Sequence, residues 1–179
     1  KINQKSLETN SEKNRRKKMH LKRQGVPKSW PIHRKGTRYV IRPKSKLESG
    51  IPLLIILRDM LKIVQNKKEA KRIIFLKQVL VNNKIPKDEK IPVLLFDTIS
   101  LVPAKKNYRL DLSGKGKFEP KEINEKEINT KAIKVINKKI LKGKKVQLNF
   151  QDGRNLLSDI KCRVNDSALI NFKEKKIEK

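Results

Sequence analysis

LRDMLKIVQNKKEAKRIIFLKQVLVNNK, from Leu57 to Lys84, carries the pattern that sets the fold. Leu53, Ile56, Leu57, Met60, Leu61 and Val64 recur at helical spacing, leaving Arg58, Lys62 and Gln65 on another face. The spacing predicts a helix over Pro52–Val64, with Pro52 in its first turn and Ser49 or Gly50 near its cap. Asn66 then caps a second helix, and Glu69 three residues on completes a capping-box pattern. Ala70, Ile73, Ile74 and the stem of Lys77 are expected to face inward. Lys67, Lys68, Lys71 and Arg72 share the opposite side, where Glu69 is the only neutralising acid in view.

Beyond the second helix, Val79–Val81 reads as a short strand. Asn82 and Asn83 can supply the positive φ angles of a tight hairpin, and Lys84–Pro86 starts the return. The apolar run Val93–Val102 predicts one further strand buried on both faces. Further along, Tyr108–Leu112, Ile133–Ile140, Val146–Phe150 and Ala168–Phe172 read as strands. The turn segments SGKGKF, LKGKK, QDGRN and NDS separate them. The last third, residues 102–179, is thus expected to be a small β-barrel-like domain with a basic tail.

Upstream, KNRRKKMHLKRQG (Lys13–Gly25) has no apolar period and cannot bury enough surface to fold alone. Residues before Val26 are therefore expected to be disordered until phosphates order them. VPKSWPIHRKGTRYVIRP follows, with Pro27, Pro31 and Pro43 enforcing extended or turn backbone and Trp30 expected to pack on the neighbouring domain.

Charge favours a polyanionic partner. The 179 residues carry a formal +29, from 47 Lys and Arg against 18 acids. Residues 1–46 hold sixteen basic side chains against two acids, residues 47–101 ten against six, and residues 102–179 twenty-one against ten. An excess of this size repels itself unless nucleic acid neutralises it. One cysteine, Cys162, allows no intrachain disulfide. No apolar run approaches the roughly 20 residues of a bilayer span, and no secretory leader is expected. Membrane attachment through the arm is disfavoured because Leu21 is nearly its only large apolar side chain.

Catalytic and metal chemistry finds little support. Gly114-Lys115-Gly116 imitates a dinucleotide loop but lacks the strand-loop-helix setting, and no nucleoside-triphosphate loop occurs. His20, His33 and Cys162 do not make a closed zinc set. Asp97, Asp111, Asp152, Asp159 and Asp166 sit at strand ends or turns, where turn formation or ion pairing explains them. No catalytic residue, metal, cofactor or small-molecule substrate is expected. Arg154, in the turn Asp152-Gly153-Arg154, reads equally as a loop residue and as a phosphate contact.

The order helix, helix, hairpin, strand in Leu57–Lys84 resembles the S-four-type RNA-binding domain. With HLKRQGVPKSWPIHRKGTRYVIRP, ESGIPLLIILRDMLK, FDTISL, YRLDLSGKGKF and VQLNFQDGRN in order, residues 20–170 resemble the small-subunit ribosomal protein S-four-e family of archaea and eukaryotes. The family usually carries glycine where Lys77 stands and a glycine turn where Asn82-Asn83 stand. It continues into a C-terminal KOW-type domain, which is not expected within these residues.

The resemblance implies an α+β protein: a basic extended arm over 1–46, a two-helix and sheet S-four-type domain over 47–101, and the barrel-like domain over 102–179. It implies a structural constituent of the cytoplasmic small ribosomal subunit that binds folded rRNA beside neighbouring ribosomal proteins. The alternative is an RNA-modifying or RNA-chaperone factor using the same module. The expected RNA-binding residues are Arg15, Arg16, Lys17, Lys18, Lys22 and Arg23 in the arm. They continue through Lys28, Arg34, Lys35, Arg38 and Arg42, then Arg58, Lys67, Lys68, Lys71, Arg72, Lys77 and Lys84, and end at Arg154.

Overall fold

In the computed structural model, residues 20–141, 146–158, 162–173 and 176–177 are described. Arg15, Arg16, Lys17 and Lys18 lie outside them, as does most of the expected LKGKK hairpin tip. No helix among the described residues is long and apolar enough to cross a membrane.

The apolar run after Gly50 builds the centre of the first core. Strand β3 (Gly50–Pro52) leads directly into helix α1, one α-helical turn over Leu53–Ile55 that widens into a π turn over Ile56–Met60. The expected helix to Val64 therefore stops early. Leu61 donates to the Ile56 carbonyl five residues back at 2.9 Å, Ile63 N–H bonds to Leu57 O at 2.9 Å, and Lys62 turns to φ 54°. Pro52 is the extended N-cap, and Gly50 belongs to a strand. Ile51, Leu53, Ile55, Ile56 and Leu57 are all fully buried, so this segment is apolar all round and not on one face.

Gly50 pairs with Leu94 of β5 (Pro92–Leu94). A Cβ on Gly50 would lie 2.4 Å from the Val93 carbonyl oxygen, so only glycine permits this approach. Gly50→Ala should lower stability by about 1–3 kcal/mol through overpacking against backbone. Urea denaturation checks this, and an unchanged midpoint would show that β3 and β5 separate without cost.

Helix α2 (Lys67–Phe75) starts at an extended Asn66 whose side chain makes no capping bond. Glu69 does the capping: its carboxylate accepts from the Gln65 N–H at 2.8 Å. Ala70 and Ile74 are buried and Ile73 packs beside them. Lys77 is exposed, contrary to the expectation that its stem faces inward. It occupies the left-handed position (φ 57°) of a Schellman end, with Lys77 N–H to Ile74 O at 3.0 Å and Gln78 N–H to Ile73 O at 3.1 Å. The lysine is thus pinned where glycine is usual, pointing its stem away from the core.

Strand β4 (Val79–Val81) turns through Asn82 (φ 49°) and Asn83 (φ 58°) as expected. The return is a single bridge, Val81 to Lys84, and β4 finds its strand partner in β6 (Thr98–Leu101). The single strand expected over Val93–Val102 is broken into β5 and β6 at Phe96 (φ 63°). Asp97 makes the break, its carboxylate accepting from Leu94 N–H at 2.7 Å. Strands β7 (Lys106–Leu112) and β8 (Phe118–Glu122) complete an antiparallel sheet ordered β4-β6-β7-β8. Leu110 and Phe118 enter the same core as α1, which therefore extends past Leu101.

A short ribbon of β1 (Leu21–Lys22) and β2 (Tyr39–Val40) lies against this core. Leu21 and Trp30 are buried in it. The expected disorder before Val26 is therefore corrected from Leu21 onward. Arg23 secures the ribbon, its guanidinium donating to Thr37 O at 2.7 Å, His33 O at 2.6 Å and Thr37 Oγ1 at 2.9 Å.

The second core lies under a five-stranded antiparallel sheet ordered β11-β10-β9-β12-β13. Its strands are Asn155–Leu157, Val146–Phe150, Thr130–Ile140, Ser167–Asn171 and Lys176–Ile177 in that order. The long β9 serves two partners: Thr130–Lys134 pair with β12 and Val135–Ile140 with β10. A register shift at Asn149/Phe150 marks the changeover, which is how such a sheet curls. Among the described residues the sheet is a curled half-barrel with open edges, not a closed barrel. The fold is mixed, with strands dominating two short helices.

Candidate nucleic-acid interface

The cations expected to act together fall on several surfaces. On α2, Lys67, Lys68, Lys71 and Arg72 are all exposed. Their stripe is less bare than the sequence implies. Lys67 Nζ pairs at 3.3 Å with Glu89, whose side chain is only 5% exposed, and Asp88 lies close enough to Lys71 to feel its charge. Asp88 is held below the usual carboxylate range chiefly by its hydrogen bond from Lys44.

The N-terminus of α2 also meets the β1–β2 ribbon. Lys67, Arg58, Arg42, His20 and Lys90 line one cleft of about 320 Å³, with Tyr39 on its wall. Tyr39 is 51% exposed, packs 5.6 Å from the His20 ring and takes the Arg38 guanidinium at 5.5 Å from its centroid. Arg58 is engaged by Asp59 through two bonds of 2.9 Å, which raise its pKa further.

A second basic hollow, about 650 Å³, opens beside Trp30. It gathers Lys28, Arg34, Arg23 and His33 with Lys115 and Lys117 of the β7–β8 loop. Arg23 directs donors to two backbone carbonyls and to Thr37 Oγ1, so it builds this hollow more than it lines it. Phe118 N–H to Ser29 O, 2.9 Å, ties the loop to the Pro-rich segment. Lys22, Lys35 and Lys77 are exposed, but they join none of these clusters.

The remaining two expected residues, Lys84 and Arg154, meet at the seam between the Asn82-Asn83 turn and the five-stranded sheet. Beneath the seam lies a charge cluster that the sequence did not suggest. Lys131, 4% exposed, donates to Asp97 Oδ1 at 2.6 Å and reaches Asp152 Oδ2 at 3.4 Å, both side chains 5% exposed. Asp97 also accepts from Asn82 Nδ2 at 2.8 Å, and Asp152 forms an ion pair with Arg154 Nε at 3.4 Å. One buried lysine thus joins both cores. Among the described residues no group of three or more His, Cys, Asp or Glu is placed to hold a metal ion.

The chain is similar in sequence and fold to known proteins. Residues 104–177 match the model of the ribosomal family S4e, and residues 15–45 match that of the RS4NT (NUC023) domain. The small ribosomal subunit protein eS4 of Methanocella arvoryzae is 37% identical over 162 residues, 89% of this chain and 68% of that protein. The chain belongs to the S4e family. The eS4 of Methanosphaera stadtmanae is 38% identical over 161 residues, covering 88% of this chain and 67% of its own. The crystal structure of 30S ribosomal protein S4e from Thermoplasma acidophilum aligns with a TM-score of 0.59 at 29% identity, over 72% of this chain and 67% of that one.

Within this S4e fold, sequence reasoning missed Lys90, Lys115, Lys117 and Lys131. Lys115 and Lys117 had a local signal, two lysines on a glycine turn. For Lys131 the only signal was its place on the inward phase of the Lys131, Ile133, Val135 alternation.

Proposed function

We infer that this chain is a structural constituent of the small ribosomal subunit, in the cytoplasmic ribosome, and not an enzyme. The observation that carries this is its S4e membership, with relatives named small ribosomal subunit protein eS4 matching 89% of its length. The RNA-modifying reading loses two of its five candidate carboxylates, since Asp97 and Asp152 are both engaged by Lys131.

The finer reading is that the chain holds folded rRNA through phosphate contacts beside other ribosomal proteins. It divides the chain into an arm over 1–46, an S-four-type RNA-binding unit of two helices and hairpin over 47–101, whose core also takes in β7 and β8, and a β-rich unit over 102–179. The α2 stripe, the Tyr39 cleft and the Trp30 hollow are its phosphate-facing surfaces, supported by their exposed cations and by the formal +29. Each phosphate neutralised releases roughly 0.9 counterion on B-form duplex and about 0.7 on single strands, so binding must weaken steeply with salt.

Titrating small-subunit rRNA with the chain between 50 and 200 mM salt should give a logarithmic slope of about −5 or steeper. Stable co-sedimentation with the small subunit at high salt should accompany it. A flat salt response would remove the phosphate mechanism, and failure to co-sediment would remove the subunit assignment.

A further inference from the structure

We propose that the seam between the Asn82-Asn83 turn and the five-stranded sheet is a pocket for one unpaired RNA nucleotide. The inference rests on the RNA-binding reading above and names what one part of the surface takes. The cavity measures about 710 Å³, within the range of small-ligand sites. Its wall is a stack already half made: the Arg154 guanidinium lies 4.2 Å from the Phe172 ring centroid, and Arg154 keeps 34% of its side chain exposed. Unpaired bases stack on aromatic rings and on guanidinium planes alike.

The opposite wall supplies base-edge chemistry. Asn83 Nδ2 donates to Asn129 Oδ1, and the Asn129 carbonyl accepts from Phe172 N–H at 2.8 Å, which locks the turn to the sheet. That bond leaves the Asn83 Oδ1 as an acceptor and the Asn129 Nδ2 group as a donor, and both residues line the cavity. A neighbouring donor and acceptor match the edge of a nucleobase, which helical RNA keeps paired. Lys84 and Lys173 line the same cavity and suit the flanking phosphates. Among the described residues, Asp97, bonded to the lining Asn82, and Asp152 are both buried and both held by Lys131. Apolar side chains of the second core floor the site, so a base displaces water there.

The test uses the full chain, a short single-stranded oligoribonucleotide carrying one 2-aminopurine, and an RNA duplex of equal length. Wild-type protein should quench the 2-aminopurine on binding. Phe172→Leu keeps apolar bulk but removes the ring and should weaken single-strand binding about tenfold and restore the fluorescence. Asn83→Gly, which removes the amide and keeps the positive φ of 58°, should weaken it about threefold to tenfold. Duplex affinity should stay within about twofold for both, because phosphate contacts carry it. Should Phe172→Leu fail to fold in circular dichroism melts, Asn83→Gly carries the test alone.

Unchanged quenching and single-strand affinity in the folded variants overturns the proposal. So does intact RNA binding with lost attachment to the small subunit, which would seat a protein segment in the pocket. If wild-type protein binds duplex but not single strands, the pocket assignment alone fails. If it binds neither, the RNA reading fails with it.

Discussion

Lys131→Met should destabilise the protein by about 3–5 kcal/mol, the loss typical of breaking a buried charge pair by removing one partner. Methionine fills much of the same volume, so the loss reports charge and not a cavity. Lys131 is 4% exposed and reaches Asp97 at 2.6 Å and Asp152 at 3.4 Å. Without it, two carboxylates stay buried, still accompanied by Arg154 on the Asp152 side. Asp97 cannot swing to water cheaply, because Leu94 N–H and Asn82 Nδ2 hold its oxygens at 2.7 and 2.8 Å. In a chain of this size the thermal midpoint should fall on the order of 10 °C. Lys134→Met, on the exposed phase of the same strand, should change stability by no more than about 0.5 kcal/mol. Urea denaturation of both variants makes the comparison. Equal, small losses would mean that water relieves the carboxylates and that the cluster does not join the two cores.

Changing Lys68, Lys71 and Arg72 together to glutamine should weaken binding to small-subunit rRNA by up to about 500-fold at 0.1 M salt. A slope of about −0.9 per phosphate makes each contact worth about eightfold at that concentration. The salt slope should fall by up to about three units. Lys67 is left in place because it is the ion-pair partner of the buried Glu89, and its loss would mix stability with binding. Glutamine keeps good helix propensity, and these exposed positions should each shift stability by no more than about 0.5 kcal/mol. Filter retention beside circular dichroism melting reads the two effects apart. An unchanged slope in a folded variant would move the RNA surface to the Tyr39 cleft and the Trp30 hollow.

What the sequence determined by itself is local. The 3.6-residue recurrence over Lys67–Phe75 made α2, since Ala70 and Ile74 need one buried face and four cations need the other. Asn82 and Asn83 made the turn, because asparagine tolerates positive φ. Turn segments on either side marked out the strands that became β7, β9 and β10. The charge excess pointed to a polyanion, and the ordered motifs to the family.

Tertiary structure decided whatever depends on a partner distant in sequence. Leu53 to Leu57 had the composition of an amphipathic helix, but burial on every side and the close β3–β5 pairing left only one turn of α-helix before a π turn. Val93–Val102 had the apolar content of one strand, and Asp97 broke it because its carboxylate serves Leu94, Asn82 and Lys131 at once. Leu21 looked like part of a solvated arm until Val40 paired with it across the ribbon. Lys67 looked free until a buried glutamate 22 residues on reached it. The physical reason is shared: periodicity records which face of a segment is apolar, whereas a buried charge is tolerated only where its counter-charge lies in space, and adjacency in the chain does not encode that.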